Sequence, residues 1–536
     1  MKPPADRPGR TWWRDGVLYQ IYPRSFMDSN GDGVGDLRGI VDRLDHLQWL
    51  GVEGIWLDPI TVSPNDDWGY DVSDYTDVDP ALGTLADADE LIEEAARRGI
   101  RVILDLVPNH TSDRHPWFVD SRSARDARHR DWYVWADPKP DGGPPNNWVN
   151  TFDPGRSAWT YDERTGQYYL HNFLPSQPDL NWWNEEVRDA FDEIFRFWYD
   201  RGVAGFRLDV AHQIVKDREL RDNPPATEDD HWYVQLRGQR QTFNAGRPEV
   251  HDVLRRWRRL CEEYDPPRIL VGETYVFEPE LLAQFYGDGD EVNLAFNLMF
   301  LHARFDAGEL RSCVETAERL IPAGCQPTWT AGNHDNRRFP TRWCEGDPAL
   351  ARAAMVLLMG LRGTPFLYYG DEIGMPDTEV PPERILDPVG RLHGPRLARD
   401  PERTPMHWSP EEGAGFTRPG VEPWLPFGDF RSCNVADQRH DPDSMLSLTR
   451  DLVGLRDAIP DLRRGAYRTH PASSGSLWVW ERGERMLAAV NLGAEPVALA
   501  GIDGTIRIST IRARDEEQVD GRLHLEPKEA LLLMRR

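Results

Sequence analysis

The chain has 536 residues, with 63 Lys and Arg set against 90 Asp and Glu, a formal charge of −27. A negative surplus of that size repels nucleic acid and anionic membranes, so neither is expected as a partner. Five scattered cysteines without metal-ligand spacing, and no apolar run long enough to span a bilayer, point to a reduced, cytoplasmic setting.

Strand-like runs alternate with helical patterns along most of the chain, the signature of repeated βα units. The first run is VLYQIY (17–22), followed by an apolar helical face at Leu37, Ile40, Val41, Leu44, Leu47 and Leu50. GIWLDPI (54–60) precedes ADADELIEEAARRGI (86–100), an acidic-to-basic helix, and RVILDLVPNH (101–110) is the third strand. Residues 111–176 break the alternation and are expected to form a small β subdomain. Then come GVAGFRLD, RILVGE, NLAFNLMF, TWTAGNHD and TPFLYYGDE, which bring the count to eight. Eight parallel strands close a (β/α)8 TIM barrel, here divided into 1–110 and 177–464. The 64-residue step from Asp209 to Glu273 requires an insertion, for which the polar stretch from residue 216 is the candidate. Residues 374–430 read as a long Pro- and Gly-rich loop over the barrel mouth, and 465–536 as a C-terminal β-sandwich domain.

Three of the runs end in an acid: Asp209, Glu273 and Asp335. An apolar strand ending in a carboxylate delivers it to the barrel's C-terminal mouth, where such folds keep their chemistry. Three acids converging there suit a cleft that stabilises a positively charged transition state, as glycoside cleavage requires. Arg207 lies two residues before Asp209, on the same strand face, and can keep that carboxylate ionised. A second constellation, DSNGDGVGD (28–36), places oxygens of Asp28, Asn30, Asp32 and Asp36 and the Val34 carbonyl at alternate positions. That is the spacing of a calcium loop, although the final bidentate Glu of an EF-hand is missing. Calcium is the expected ion, with magnesium second.

These motifs, with QPDLNWWN (177–184), DLVPNHTS (105–112) and RTPMHW (403–408), make the chain resemble the α-glucosidases and oligo-1,6-glucosidases of the α-amylase superfamily. The resemblance implies that Asp209 is the nucleophile, Glu273 the general acid/base and Asp335 the transition-state stabiliser. It implies that Asp67 and Tyr70 of DDWGYD hold and stack on the non-reducing glucose. His110 and His334 would donate to its hydroxyls, and Arg403, with Arg399 as the other candidate, would pair with Asp67 and close the pocket. Members of that family also bind calcium at the 28–36 loop. The expected activity is release of α-D-glucose, with retention, from short α-glucosides such as maltose, isomaltose or sucrose. Val210 beside the nucleophile is the residue type associated there with α-1,6 linkages, while His212 and the 216–247 insertion depart from the pattern. Two alternatives share the scaffold: a transglucosylase or sugar isomerase, and, more remotely, a non-catalytic binding subunit.

Overall fold

The computed structural model describes residues 2–536. Its centre is a ring of eight parallel strands: β1 (Leu18–Ile21), β2 (Gly54–Leu57), β3 (Arg101–Leu106), β4 (Gly205–Leu208), β5 (Ile269–Gly272), β6 (Leu294–Ala295), β7 (Thr328–Thr330) and β8 (Thr364–Tyr368). The lateral order is β6-β5-β4-β3-β2-β1-β8-β7. A parallel bridge from Phe296, just after β6, to Thr328 closes the ring. The predicted barrel is the observed fold, and each of the eight apolar runs contains one strand.

Helices α1 (Leu37–Leu50), α2 (Leu85–Arg97), α3 (Glu185–Arg201), α4 (Val250–Glu262), α5 (Ala307–Leu320), α6 (Pro348–Gly360) and α7 (Met445–Ala458) return the chain around the outside. Local chemistry marks their ends. Asp36 caps α1 by accepting from the Gly39 N–H, and Thr84 with Asp87 forms a reciprocal capping box at α2. Gly51 ends α1 in a left-handed conformation, at φ 89°, which a residue with a Cβ would resist.

The strand period of two separates an inner from an outer core. Leu18, Trp56, Ile103, Val271 and Phe366 meet inside the barrel. Tyr19, Ile55, Leu57, Val102, Leu104 and Leu367 pack outward against the helices. Two residues further along each strand, the inward positions become Gln20, Asp58, Asp105 and Glu273, joined by Arg207 on β4. The interior therefore changes from apolar to charged toward its C-terminal mouth, which is where the site is built.

Three segments decorate that mouth. Residues after β3 form a helix, Pro116–Ser121, and a three-stranded antiparallel sheet of Trp135–Ala136, Gln167–Leu170 and Trp159–Asp162 around Trp148, Ala158, Trp159 and Leu170. The 216–247 stretch docks on this unit. Leu220 and Phe243 pack against its core, and the Trp148 indole donates to the Arg221 carbonyl at 2.9 Å. The loop after β8 reaches over from the other side, its His393 bonded to the Phe152 carbonyl. From Tyr467 onward the chain forms a six-stranded antiparallel sheet and a two-stranded one enclosing a separate apolar core. Among the described residues no helix is long and apolar enough to cross a membrane.

Candidate active site

Asp209 follows β4 and Glu273 follows β5, and the Arg207 guanidinium joins them. Its Nη1 lies 2.7 Å from Asp209 Oδ1, and its Nη2 lies 2.8 Å from Glu273 Oε2. The same Nη1 donates to both oxygens of Asp105, at 2.9 and 3.0 Å. All four side chains are buried, Arg207 to 1 % exposure. Two carboxyls on adjacent nitrogens of one planar fork lie at close range, a placement compatible with the about 5 Å separation of a retaining double displacement. Each also keeps one oxygen anchored and the other without a protein partner among the described residues.

Backbone strain helps hold this arrangement. Val210 has φ 37° and ψ 46°, a left-handed conformation that a β-branched residue resists. The strain turns its N–H onto Glu273 Oε2 at 2.9 Å, while the Ala211 N–H reaches the Glu273 carbonyl at 2.9 Å. Left-handed non-glycine residues cost about 1–3 kcal/mol and persist where surrounding structure fixes them. Here the fixing partner is a candidate catalytic acid.

Asp335 sits opposite, with a different charge environment. Its Oδ1 receives Arg399 Nη1 at 3.0 Å and Arg403 Nη2 at 2.7 Å. Arg399 also pairs with Asp67 at 2.7 Å and with Asp387 at 2.7 Å. This corrects the expected order of the two arginines. Arg399 closes the pocket against Asp67, whereas Arg403 binds Asp335 and the His334 carbonyl. The reason is Asp387, which the sequence did not flag. Fully buried, it accepts from the Arg399 N–H and Nε and so aims that guanidinium into the cleft.

The two histidines also differ from expectation. His334 Nδ1 meets the Gln20 amide at 2.8 Å and its Nε2 meets the Tyr70 hydroxyl at 2.7 Å. His110 Nε2 lies 3.0 Å from the Tyr70 carbonyl, and its Nδ1 lies 3.0 Å from the Asn109 amide. Both rings are bound within the protein and fix Tyr70 between them. Tyr70 stacks flat on His334, with centroids 5.2 Å apart, and its hydroxyl donates to Asp105 at 2.9 Å. His110 still lines the cavity. Beneath this layer Gln20 donates to both oxygens of Asp58, and the Trp56 indole donates to Asp105.

The electrostatics follow from charge counts. Three acids share Arg207, so burial dominates: it pushes Asp209 upward and Asp105 up to about 7. Asp58 is raised by burial and by Asp105. Asp335 is only partly buried, its side chain 24 % exposed, and the neighbouring His334 and the arginines Arg399 and Arg403 hold it well below the ordinary carboxylate range. We assign the positive charge to the arginines, because burial pushes His334 far down and leaves it neutral.

These groups face one cavity of about 240 Å³, lined among others by Asp67, Tyr70, His110, Phe152, Phe173, Asp209, Glu273, Asp335 and Arg399. It is closed at the Asp67–Arg399 end. On the other side it continues into a second chamber lined by Tyr233, Arg237, Gln241, Tyr275 and Phe277. Asp58, Asp105 and Gln20 were missed from the sequence. Continuing the inward-facing positions of β1, β2 and β3 by one more step finds all three.

The 28–36 loop lies away from this cleft, between β1 and α1. Its oxygen donors suit a hard cation by type, but they are directed at the protein. Asp28 accepts from the Gly31 and Gly33 N–H groups, and Asp36 accepts from Ser29 and Gly39. Among the described residues no group of three or more acidic, His or Cys side chains gathers as a metal site. The loop is a turn held by its own side-chain bonds.

Residues 20–465 match the model of the alpha amylase catalytic domain. The chain is 44 % identical over 478 residues to a probable alpha-glucosidase of Rhizobium meliloti (strain 1021), covering 85 % of each. It is 38 % identical to an oligo-1,6-glucosidase of Heyndrickxia coagulans, over 91 % of this chain and 93 % of the relative. Among solved structures, an alpha-glucosyl transfer enzyme superposes with a TM-score of 0.91 at 40 % identity, covering 98 % of this chain and 99 % of that one.

Proposed function

Because the chain belongs to the alpha-amylase family and is a glycoside hydrolase, we propose that it is a retaining, exo-acting α-glucosidase releasing α-D-glucose from short α-glucosides. The observation that carries this reading is the Arg207 bridge. It holds Asp209 and Glu273 together by one oxygen each, leaving the other oxygens for attack and proton transfer. Asp209 attacks the anomeric carbon while Glu273 protonates the departing oxygen, and Glu273 then deprotonates the water that releases glucose. Asp335, kept ionised by Arg399 and Arg403, stabilises the oxocarbenium-like transition state. Asp67 and Arg399 hold the hydroxyls at the closed end, Tyr70 packs against the ring, and His110 and His334 fix Tyr70. The closed end supports exo action, since it leaves no path for a longer chain beyond one sugar.

Proton NMR of the first product tests the mechanism: α-glucose is expected, and β-glucose rules it out. A glucose-release panel of maltose, isomaltose, sucrose, trehalose and maltotriose ranks the linkages, with Val210 favouring α-1,6. A second reading, glucosyl transfer to a sugar or alcohol, is favoured by the similarity to the alpha-glucosyl transfer enzyme and by the roomy second chamber. Measuring hydrolysis against transfer at high acceptor concentration separates the two. The donor types at 28–36 support calcium there, and isothermal titration of calcium into the chelator-treated protein tests it. Five free thiols support a cytoplasmic location, which fluorescence imaging of the tagged protein checks.

A further inference from the structure

Beyond the scissile position the cleft holds an anomaly of charge. Arg207 meets three carboxylates, Arg399 meets three, and Arg403 meets Asp335. Arg237 meets none. It is 6 % exposed, yet among the described residues no carboxylate lies within ion-pair distance of it. Its guanidinium rests on the Tyr233 ring, 3.7 Å from the centroid, and its remaining bonds are to Tyr233 alone. The bond to the Tyr233 carbonyl, at 3.4 Å, is too long to satisfy a buried cation, and Nε has no partner. Arg456 and Arg482 are also buried without an acid, but each donates to three backbone carbonyls, whereas Arg237 has one distant carbonyl and one hydroxyl.

Its place in the fold gives the anomaly meaning. Arg237 is the last residue of the short helix Trp232–Arg237 and lines both the catalytic cavity and the outer chamber. The Nε2 amide of Gln241, which lines the same two chambers, is likewise buried without an acceptor. Tyr233, Tyr275 and Phe277 wall the space, with the Tyr233 and Tyr275 rings 4.9 Å apart. The acid that lines the outer chamber, Glu278, is solvent-exposed and forms no pair with Arg237. A buried charge left uncompensated is costly, and an anionic ligand that pairs with it recovers that cost on binding.

We propose that Arg237, seconded by Gln241, selects α-glucosides whose aglycone carries an anionic group, a carboxylate or a phosphate. The inference rests on the α-glucosidase reading and names the substrate class of that site. The aromatic walls take the aglycone's body, the guanidinium takes its charge, and the acid-lined glucose pocket takes the neutral sugar.

The test compares matched substrates: 4-carboxyphenyl against 4-carbamoylphenyl α-D-glucoside for a carboxylate, and trehalose 6-phosphate against trehalose for a phosphate. The expected result is a kcat/KM at least about tenfold higher for the anionic member of one pair or both, the effect of one charge-assisted bond. The pair that shows it identifies the anion. R237Q should bring that ratio to about one, R237K should keep part of it, and the wild-type ratio should shrink with added salt. Cleavage of the neutral substrates with no preference for either anionic one overturns the proposal and leaves the glucosidase reading intact. A preference that survives in R237Q overturns it as well. Cleavage of none of these nor of any sugar in the panel overturns the glucosidase reading, and this proposal with it.

Discussion

Two halves of one cleft use the same residue type to opposite effect. On the β4–β5 side, one guanidinium serves Asp105, Asp209 and Glu273, and burial drives Asp105 and Asp209 upward. Across the cavity, Asp335 has two arginines on a single oxygen and stays ionised at any working pH. The ratio of cations to acids sets how far burial can raise each carboxyl. The first half is therefore suited to moving protons and forming bonds. The second is suited to holding fixed charge beside a developing cation.

The largest test of this contrast removes the proposed nucleophile. D209N should lower the initial rate of glucose release by about 10⁴-fold or more, with thermal stability little reduced, as for removal of other covalent nucleophiles. Retained activity would falsify the assignment. R207Q should come next, costing about 10²–10³ in kcat/KM, since one positioned donor set is lost. It should also lower stability, because breaking a buried ion cluster from one side costs about 3–5 kcal/mol. Both effects are read from rates and the unfolding temperature, and an R207Q enzyme of normal kcat/KM would disconnect the bridge from function.

The other half predicts a split. R399Q opens the closed end and should raise KM about tenfold or more, the loss of charge-assisted bonds at the substrate. Of the cleft acids Arg403 touches only Asp335, so R403Q should act mainly on kcat, and equal KM effects in the two variants would erase the difference between the arginines. The smallest effect is on the pH dependence of stability. The folded Asp105 carboxyl, raised to about 7 by burial, keeps a proton that the unfolded chain gives up near its ordinary 3.8. The unfolded state then binds fewer protons, so this contribution to stability is fully present below about pH 4 and lost as pH rises to about 7. Unfolding temperatures at pH 5 and pH 8 should differ less in D105N than in the wild type.

The barrel was legible in the sequence because every parallel strand is buried on both faces, which leaves short apolar runs at regular intervals. Asp209, Glu273 and Asp335 were legible because each ends such a run. The floor of Asp58, Asp105 and Gln20 was visible in principle, since it obeys the same period of two. Asp387 carried no signal: it lies in an irregular loop, and its importance comes only from the arginine it faces.

By itself the sequence determined the fold class and the family and placed three acids at strand ends, because strand period and motif order are local properties of the chain. Tertiary structure decided which arginine meets Asp67, that the two histidines serve Tyr70, and that Arg237 lacks an acid. Those are statements about charge pairing between segments that can lie hundreds of positions apart, as Asp67 and Arg399 do. Only the folded barrel brings them within bonding distance.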